Sequence, residues 1–226
     1  MSAVMNNAKR ILLAAAVGIT GALNTMATEE APFTLEKQDA AFEIRVYAPH
    51  ILAETIVDGS LEDAGNQAFG KLFRYISGAN RSHNKVAMTA PVAQQRAGEK
   101  IAMTAPVGQQ RVQDKWAVSF MMPAGYTLET LPVPEDPQVK LRQVPARRMA
   151  AVRYSGFWSE KRYLSQKQAL ETWMSKNSLT AAGDPVWARY NPPFTPWFLR
   201  RNEILIPLAP GAEPARANKD SPANAK

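Results

Sequence analysis

Two residue types narrow the chemistry open to this chain. Its 226 residues hold two histidines, His50 and His83, and no cysteine. Without thiols, zinc-thiolate sites, iron–sulfur clusters, thiol nucleophiles and disulfides are excluded together. Two imidazoles this far apart in sequence cannot build a three-His metal site within one subunit or an HExxH helix. Metal chemistry therefore falls to a single His or to carboxylates. No Gly-x-Ser-x-Gly elbow and no Walker loop is present, and no acidic pair stands at a spacing that would bring two carboxylates together.

The most specific word in the chain is a local duplication. Lys85-Val-Ala-Met-Thr-Ala-Pro-Val-Ala-Gln-Gln-Arg96 returns fifteen residues later as Lys100-Ile-Ala-Met-Thr-Ala-Pro-Val-Gly-Gln-Gln-Arg111. Two short copies cannot stack as a solenoid, so the plain reading is a hairpin of related strands around Gly98. Met88 and Met103 then occupy equivalent places. Paired methionines are more often flexible core filler than ligands.

The elements that must position these residues follow from periodicity. Phe42 to Tyr47 alternates with period two, and Ile51 to Val57 is β-rich after Pro49, so both read as strands. Ser60 and Asp63 form a capping-box-like pair ahead of a helix whose stripe is Leu61, Ala64, Ala68, Leu72 and Ile76, with Phe69 and Phe73 beside it and Gly78 at the stop. Strands are expected at 85–91, 100–106 and 116–122, before the proline-rich linker 132–137. The second half repeats the order, with strands at 139–144 and 148–154, a helix from Ser159 through Met174, and strands at 186–190 and 203–208. Two strands, a helix and two strands thus occur twice. The fold expected is an internally duplicated α+β unit, in which two helices cover one curved antiparallel sheet or distorted barrel.

The ends read differently from the body. Lys9 and Arg10 precede the apolar run Ile11 to Leu23, and Thr25-Met26-Ala27 places small residues for cleavage, so 1–27 reads as a secretory signal. The run is too short for a permanent membrane span, and no Cys follows it to carry a lipid anchor. From Pro210 the chain has no apolar residue larger than Ala and reads as a disordered tail. This leaves a domain at 28–209 and a periplasmic or secreted protein. The net charge of +7 falls to +5 once Lys9 and Arg10 are removed. That bias is mild and no nucleic-acid motif accompanies it, so a nucleic-acid partner is not expected.

Four ordered motifs resemble the SOUL/haem-binding protein family: Phe42-Glu-Ile-Arg-Val-Tyr47; Tyr75-Ile-Ser-Gly78 followed by the Lys-x-x-Met-Thr-x-Pro-Val word at Lys85; Val152-Arg-Tyr-Ser-Gly-Phe157; and Tyr190-Asn-Pro-Pro193 with Arg200-Arg-Asn-Glu-Ile204. The doubled word looks like the bacterial branch. The resemblance implies a duplicated α+β fold and binding of haem or a related tetrapyrrole, with no catalysis. Some vertebrate members carry a His before the Tyr of the first strand, proposed as an axial ligand; the matching residue here is Val46. In other members the porphyrin is thought to lie against the exposed side of the first helix, which maps to Phe69, Leu72, Phe73 and Arg74. A Lys found after the Pro-Pro of the late loop in some members is Thr195 here.

A porphyrin needs an apolar wall and one or two cations at the rim for its carboxylates. Phe69, Leu72, Phe73 and Arg74 meet that recipe on one helix, and Met88 and Met103 join them as cofactor-binding candidates. The plainer alternative is that the two Phe side chains face the sheet. His50, in the turn between the first two strands, is the candidate iron ligand, because its strands are expected to border the first helix. His83, Tyr47 and Met88 stand behind it. The segment 187–198 packs five aromatics and three prolines, suiting either a preformed wall or a lid on the barrel end. Arg200 and Arg201 reach an anion there or pair with Glu203. The function expected is reversible tetrapyrrole binding for buffering or carriage. The alternatives are a sensor or hydrolase for another flat hydrophobic molecule, for which the resemblance of the family's fold to small-molecule hydrolases implies Glu54 or Glu203 as a buried acid in the central cleft, and a structural or interaction protein with an empty cleft.

Overall fold

The computed structural model describes residues 28–82 and 98–210. The leader, the tail from residue 211, His83, Met88 and the whole first copy of the repeated word lie outside the described residues. Eleven strands and two α-helices follow in the order β1 (Phe33–Asp39), β2 (Phe42–Tyr47), β3 (His50–Val57), α1 (Leu61–Ile76), β4 (Asn80–Arg81), β5 (Val107–Val112), β6 (Lys115–Met121), β7 (Val133–Pro134), β8 (Lys140–Val144), β9 (Arg147–Tyr154), α2 (Glu160–Lys176), β10 (Val186–Arg189) and β11 (Asn202–Pro207). A short 3₁₀ turn spans Trp197–Leu199.

Both helices begin where the sequence places a cap. Ser60 accepts the Asp63 backbone N–H at 3.1 Å, and its hydroxyl donates to the Asp63 carboxylate at 2.7 Å. Ser159 accepts the Arg162 N–H in the same way. After α1 the chain turns through Gly78 at φ +115°, a conformation that favours a residue without a Cβ. Gly98 lies directly on the Gly78 carbonyl, where any added Cβ would collide.

Nine strands form one antiparallel sheet in the order β1-β2-β9-β11-β10-β5-β6-β3-β8, and β4 pairs with β7 apart from it. The order is a palindrome once the two halves are aligned. β10 and β5, the third strands of the two units, meet at the centre, and the first strand of each unit pairs with the second strand of the other: β2 with β9, and β8 with β3. The short links 48–49 and 145–146 thus carry the chain from one end of the sheet to the other. Such links are possible only because the sheet curls on itself. This is the duplicated α+β architecture expected from the repeat of elements.

The curl gives the sheet two unlike faces. Ile51, Ala53, Val118, Phe120, Val152, Trp187, Ile204 and Ile206 point outward into the main core, which α1 covers over β3 and β6 and α2 covers over β9 and β11. Alternate residues point into the concavity, where Tyr47, Met149, Ala151, Ala188 and Leu205 make a smaller apolar cluster. β1 at one edge is exposed throughout and carries Glu36, Lys37 and Asp39, charges that discourage further strand addition.

The second copy of the repeated word departs from expectation. Residues 100–106 are not a strand, because their backbone bonds go to scattered partners: Ile101 N–H to the Ile76 carbonyl at 2.8 Å, and Ala105 N–H to the Glu29 carbonyl at 2.8 Å. The Thr104 side chain donates to the Met121 carbonyl. The strand falls later, at Val107–Val112, and pairs with β6 as a hairpin. Periodicity does not disclose β1 either, since an exposed edge strand has no buried face to impose alternation.

Candidate functional site

On the helical side, α1 buries Leu61, Ala64, Ala68, Leu72 and Ile76 and leaves Phe69 and Phe73 at its margin. The two rings stack with centroids 5.8 Å apart, and Phe69 also meets Phe120 edge-on at 5.3 Å. Phe73 keeps 47% of its surface exposed, whereas Leu72 beside it is 0% exposed. Leu72 is thus a core residue, because the helical period turns it onto the sheet, and it offers no surface to a ligand. Arg74 projects into solvent with only a 3.9 Å approach to Asp136. Met103 is exposed on the segment between α1 and β5.

The sheet register extends this wall. Phe120, Val107, Arg189, Asn202 and Tyr154 are successive partners across β6, β5, β10, β11 and β9 on the helical side. At a strand spacing of about 4.8 Å, Phe120 and Asn202 lie about 14 Å apart. Trp158 closes the far end, donating to the Asn202 side chain at 2.8 Å. Beyond it Phe157 stacks on Trp197 at 5.2 Å, and Phe194, Phe198 and Leu199 are exposed, Phe194 at 85%. The late aromatic segment thus leaves several large apolar side chains in solvent. Arg200 holds it in shape, donating to the Thr195 carbonyl at 2.7 Å and the Pro193 carbonyl at 2.6 Å, with its guanidinium 4.4 Å from the Trp158 ring.

Between the two aromatic groups sits Arg189, which sequence reasoning missed. Its guanidinium is flanked by Trp187 at 4.6 Å and Trp158 at 5.2 Å, and one amine donates to Gln109. Gly65 of α1 leaves room for it; a Cβ there would strike the guanidinium. Its Nε is buried without a hydrogen-bond partner among the described residues, and no carboxylate pairs with it. Burial lowers its pKa to about 10, partly opposed by Tyr154 and Glu62. The available signal was an Arg two residues after Trp187 on a strand, hence on the same face.

The concave side holds the other candidates. His50, Tyr47, Arg142, Arg147 and Tyr190 line a cleft together with Leu52, Met121, Met149 and Leu205. His50 begins β3 one residue out of phase with Ile51, which faces α1, so the imidazole points away from the helix. Its Nδ1 lies 2.9 Å from the Ala48 carbonyl, which can only accept, so Nδ1 carries the proton and Nε2 the lone pair of the neutral ring. The expectation that His50 sits beside Phe69 and Phe73 is corrected: strand alternation places them on opposite faces of one sheet, and no single flat ligand touches both.

Behind the cleft lies a buried ion network. Glu203, 0% exposed, accepts from Arg45 at 2.6 and 3.1 Å, from Arg201 at 3.0 Å and from the Tyr190 hydroxyl at 2.8 Å. Arg45 also bonds Glu43 at 2.6 Å and donates to the Tyr47 hydroxyl at 2.9 Å, while Arg201 reaches Glu30 at 2.9 Å. Burial alone would raise the Glu203 pKa, yet Arg45 and Arg201 outweigh it and hold the carboxyl below its ordinary value. Burial and the nearby Glu203 charge push the Tyr190 phenol up. Arg201 thus pairs with Glu203 in the interior and not at the surface. Glu54, the other candidate acid, pairs with Arg142 at 2.7 Å.

A curled antiparallel half-barrel of two swapped units, with helices outside and a cleft within, is a fold class found in other solved structures. The chain is similar in fold to a hydrolase from Listeria innocua, at 12% identity and a TM-score of 0.50 over 77% of this chain and 94% of that one. It is also similar to EcmrR in its DNA complex, at 12% identity and a TM-score of 0.51 over 74% of this chain and 56% of that one. Sequence resolves the family within the class. The model of the SOUL heme-binding protein family matches residues 28–207, and the chain belongs to that family. Its relatives include heme-binding protein 1 of Xenopus tropicalis, 25% identical over 75% of this chain and 84% of the relative, and that of Mus musculus, 26% identical over 75% and 85%.

Proposed function

We propose that this protein binds haem or a related tetrapyrrole reversibly on the helical side of its sheet, for buffering or carriage and without doing chemistry on it. The observation that carries this reading is the stacked, exposed pair Phe69 and Phe73, facing a second aromatic group at Trp158 and Trp197. The family and the names of its relatives add support. The residues present fit the group. The aromatic margins supply two apolar walls, and Arg74 and Arg189 are the cations that would meet its carboxylates. The orphaned Nε of Arg189 is a buried donor awaiting an acceptor. When bound, haem would supply an iron centre; Met103, the weak sulfur donor, is exposed on the segment between α1 and β5, and His50 lies across the sheet.

A hydrolytic reading would need a carboxylate free to act in the cleft. Glu203 is engaged by two arginines and a tyrosine, and Glu54 by Arg142. The exported location rests on Lys9, Arg10 and the apolar run; protein recovered from the native cell envelope should have an intact mass for a chain starting near Thr28.

Titrating the protein with haemin and with metal-free protoporphyrin tests the main reading. Similar affinities are expected, because walls and rim recognise the ring and carboxylates rather than the metal. A folded protein whose titration with haemin produces no spectral change would overturn it.

A further inference from the structure

We propose that the concave cleft is a second binding site, separate from the helical face, for a small amphipathic organic anion such as a medium-chain carboxylate. The cleft sits on the axis relating the two halves and contains about 740 Å³ of atom-free space, its open mouth included. Its floor is apolar, with Leu52, Met121, Met149, Val186 and Leu205 contributed by both units. An aliphatic chain would bury against that floor and gain the usual stabilisation of apolar surface removed from water.

The polar groups select the sign of the ligand. No Asp or Glu lines the cleft, whereas two arginines do. Arg142 is committed to Glu54, but Arg147 has no ion pair or hydrogen bond among the described residues. The Tyr47 hydroxyl accepts from Arg45, which leaves its own proton free to donate. Burial, only partly offset by Arg45, raises the Tyr47 pKa and keeps that proton in place at neutral pH. Glu203, behind the wall, already takes bonds from Arg45, Arg201 and Tyr190. A cationic ligand would find no unengaged carboxylate, while a carboxylate would find a guanidinium and a phenol.

Isothermal titration of the protein with octanoate and with octyltrimethylammonium separates these cases, since the two share a chain and differ in charge. Octanoate is expected to bind at least tenfold more tightly than the cation. Arg147→Ala should weaken octanoate about tenfold, the worth of one charge-assisted hydrogen bond, and leave the haemin titration unchanged. Phe73→Ala should leave octanoate binding unchanged. Equal binding of both amphiphiles, absence of octanoate binding, or a loss in Phe73→Ala without one in Arg147→Ala would each overturn the proposal. None of these outcomes bears on haemin binding to the helical face.

Discussion

The two faces of the sheet are cut from the same strands, yet they handle polar groups in opposite ways. On the concave side, Arg45, Glu203, Arg201 and Tyr190 satisfy one another and their charges are locked, while Arg147 and the Tyr47 proton are left over at the cleft. On the helical side, Arg189 keeps an unpaired donor, and large aromatic rings remain in solvent at Phe73, Trp197 and Phe194. A buried charge network that lacks a partner for none of its members stabilises a framework. An orphaned donor beside exposed aromatics leaves binding capacity unused. The contrast teaches that the richest cluster of charged residues in this molecule is structural, and that the helical margin with fewer polar groups is the better candidate for a large ring.

The comparison breaks most sharply if the concave network proves dispensable. Glu203→Gln should cost about 3–5 kcal/mol of stability, because it leaves Arg45 and Arg201 buried without their shared carboxylate. Urea unfolding measures this directly. The network also predicts a pH dependence. With its pKa held below the ordinary 4.5, Glu203 contributes stability that is present above that value and is lost as pH falls through the lower folded value. The midpoint of the native protein should therefore drop on acidification below about pH 4.5, and that of Glu203→Gln should drop less.

Adjacent residues of α1 sharpen the helical side. Leu72→Ala should destabilise by about 2–5 kcal/mol, as a core truncation does. Phe73→Ala should change stability far less, since nearly half its surface is already exposed, and should reduce haemin affinity about tenfold through lost ring contact. A large fall in melting temperature with unchanged affinity would return Phe73 to the core.

A smaller signal separates the two faces spectroscopically. With haemin bound at the helical margin, His50→Ala should leave the Soret band where it is, because the imidazole lies across the sheet. A shift would place the iron in the cleft and reverse the assignment of faces. The smallest effect belongs to Arg74→Ala. Its ion pair with Asp136 is long and solvent-exposed, so stability should change by less than about 0.5 kcal/mol. Haemin affinity should fall a few-fold, and that of its dimethyl ester should not change, if Arg74 meets a propionate.

Much of this protein was legible in one dimension. Ser60, Asp63 and the stripe from Leu61 to Ile76 determine α1 because capping and a 3.6-residue period are local properties. The same holds for Ser159 and α2, and for the alternation of β2. The order of elements was enough to disclose the duplication, and four short motifs were enough to disclose the family. Residues 100–106 escaped, because an extended segment becomes a strand only if a neighbour accepts its hydrogen bonds, and here Ile76 and Glu29 divide them.

Only the tertiary structure decided which residues share a site. Local period says that His50 and Ile51 face opposite ways, but not which of them faces α1; the exchange of β2 and β8 between the halves settles that. Arg45 lies 156 and 158 positions from Arg201 and Glu203, and nothing local relates it to that pair until β9 brings β2 beside β11. Arg189 becomes an unpaired cation only when Gly65 of α1 closes over it between two tryptophans. Short-range sterics and hydrogen bonding determine elements, whereas long-range pairing determines which charges meet, and it is the latter that distinguishes a sealed network from an open site.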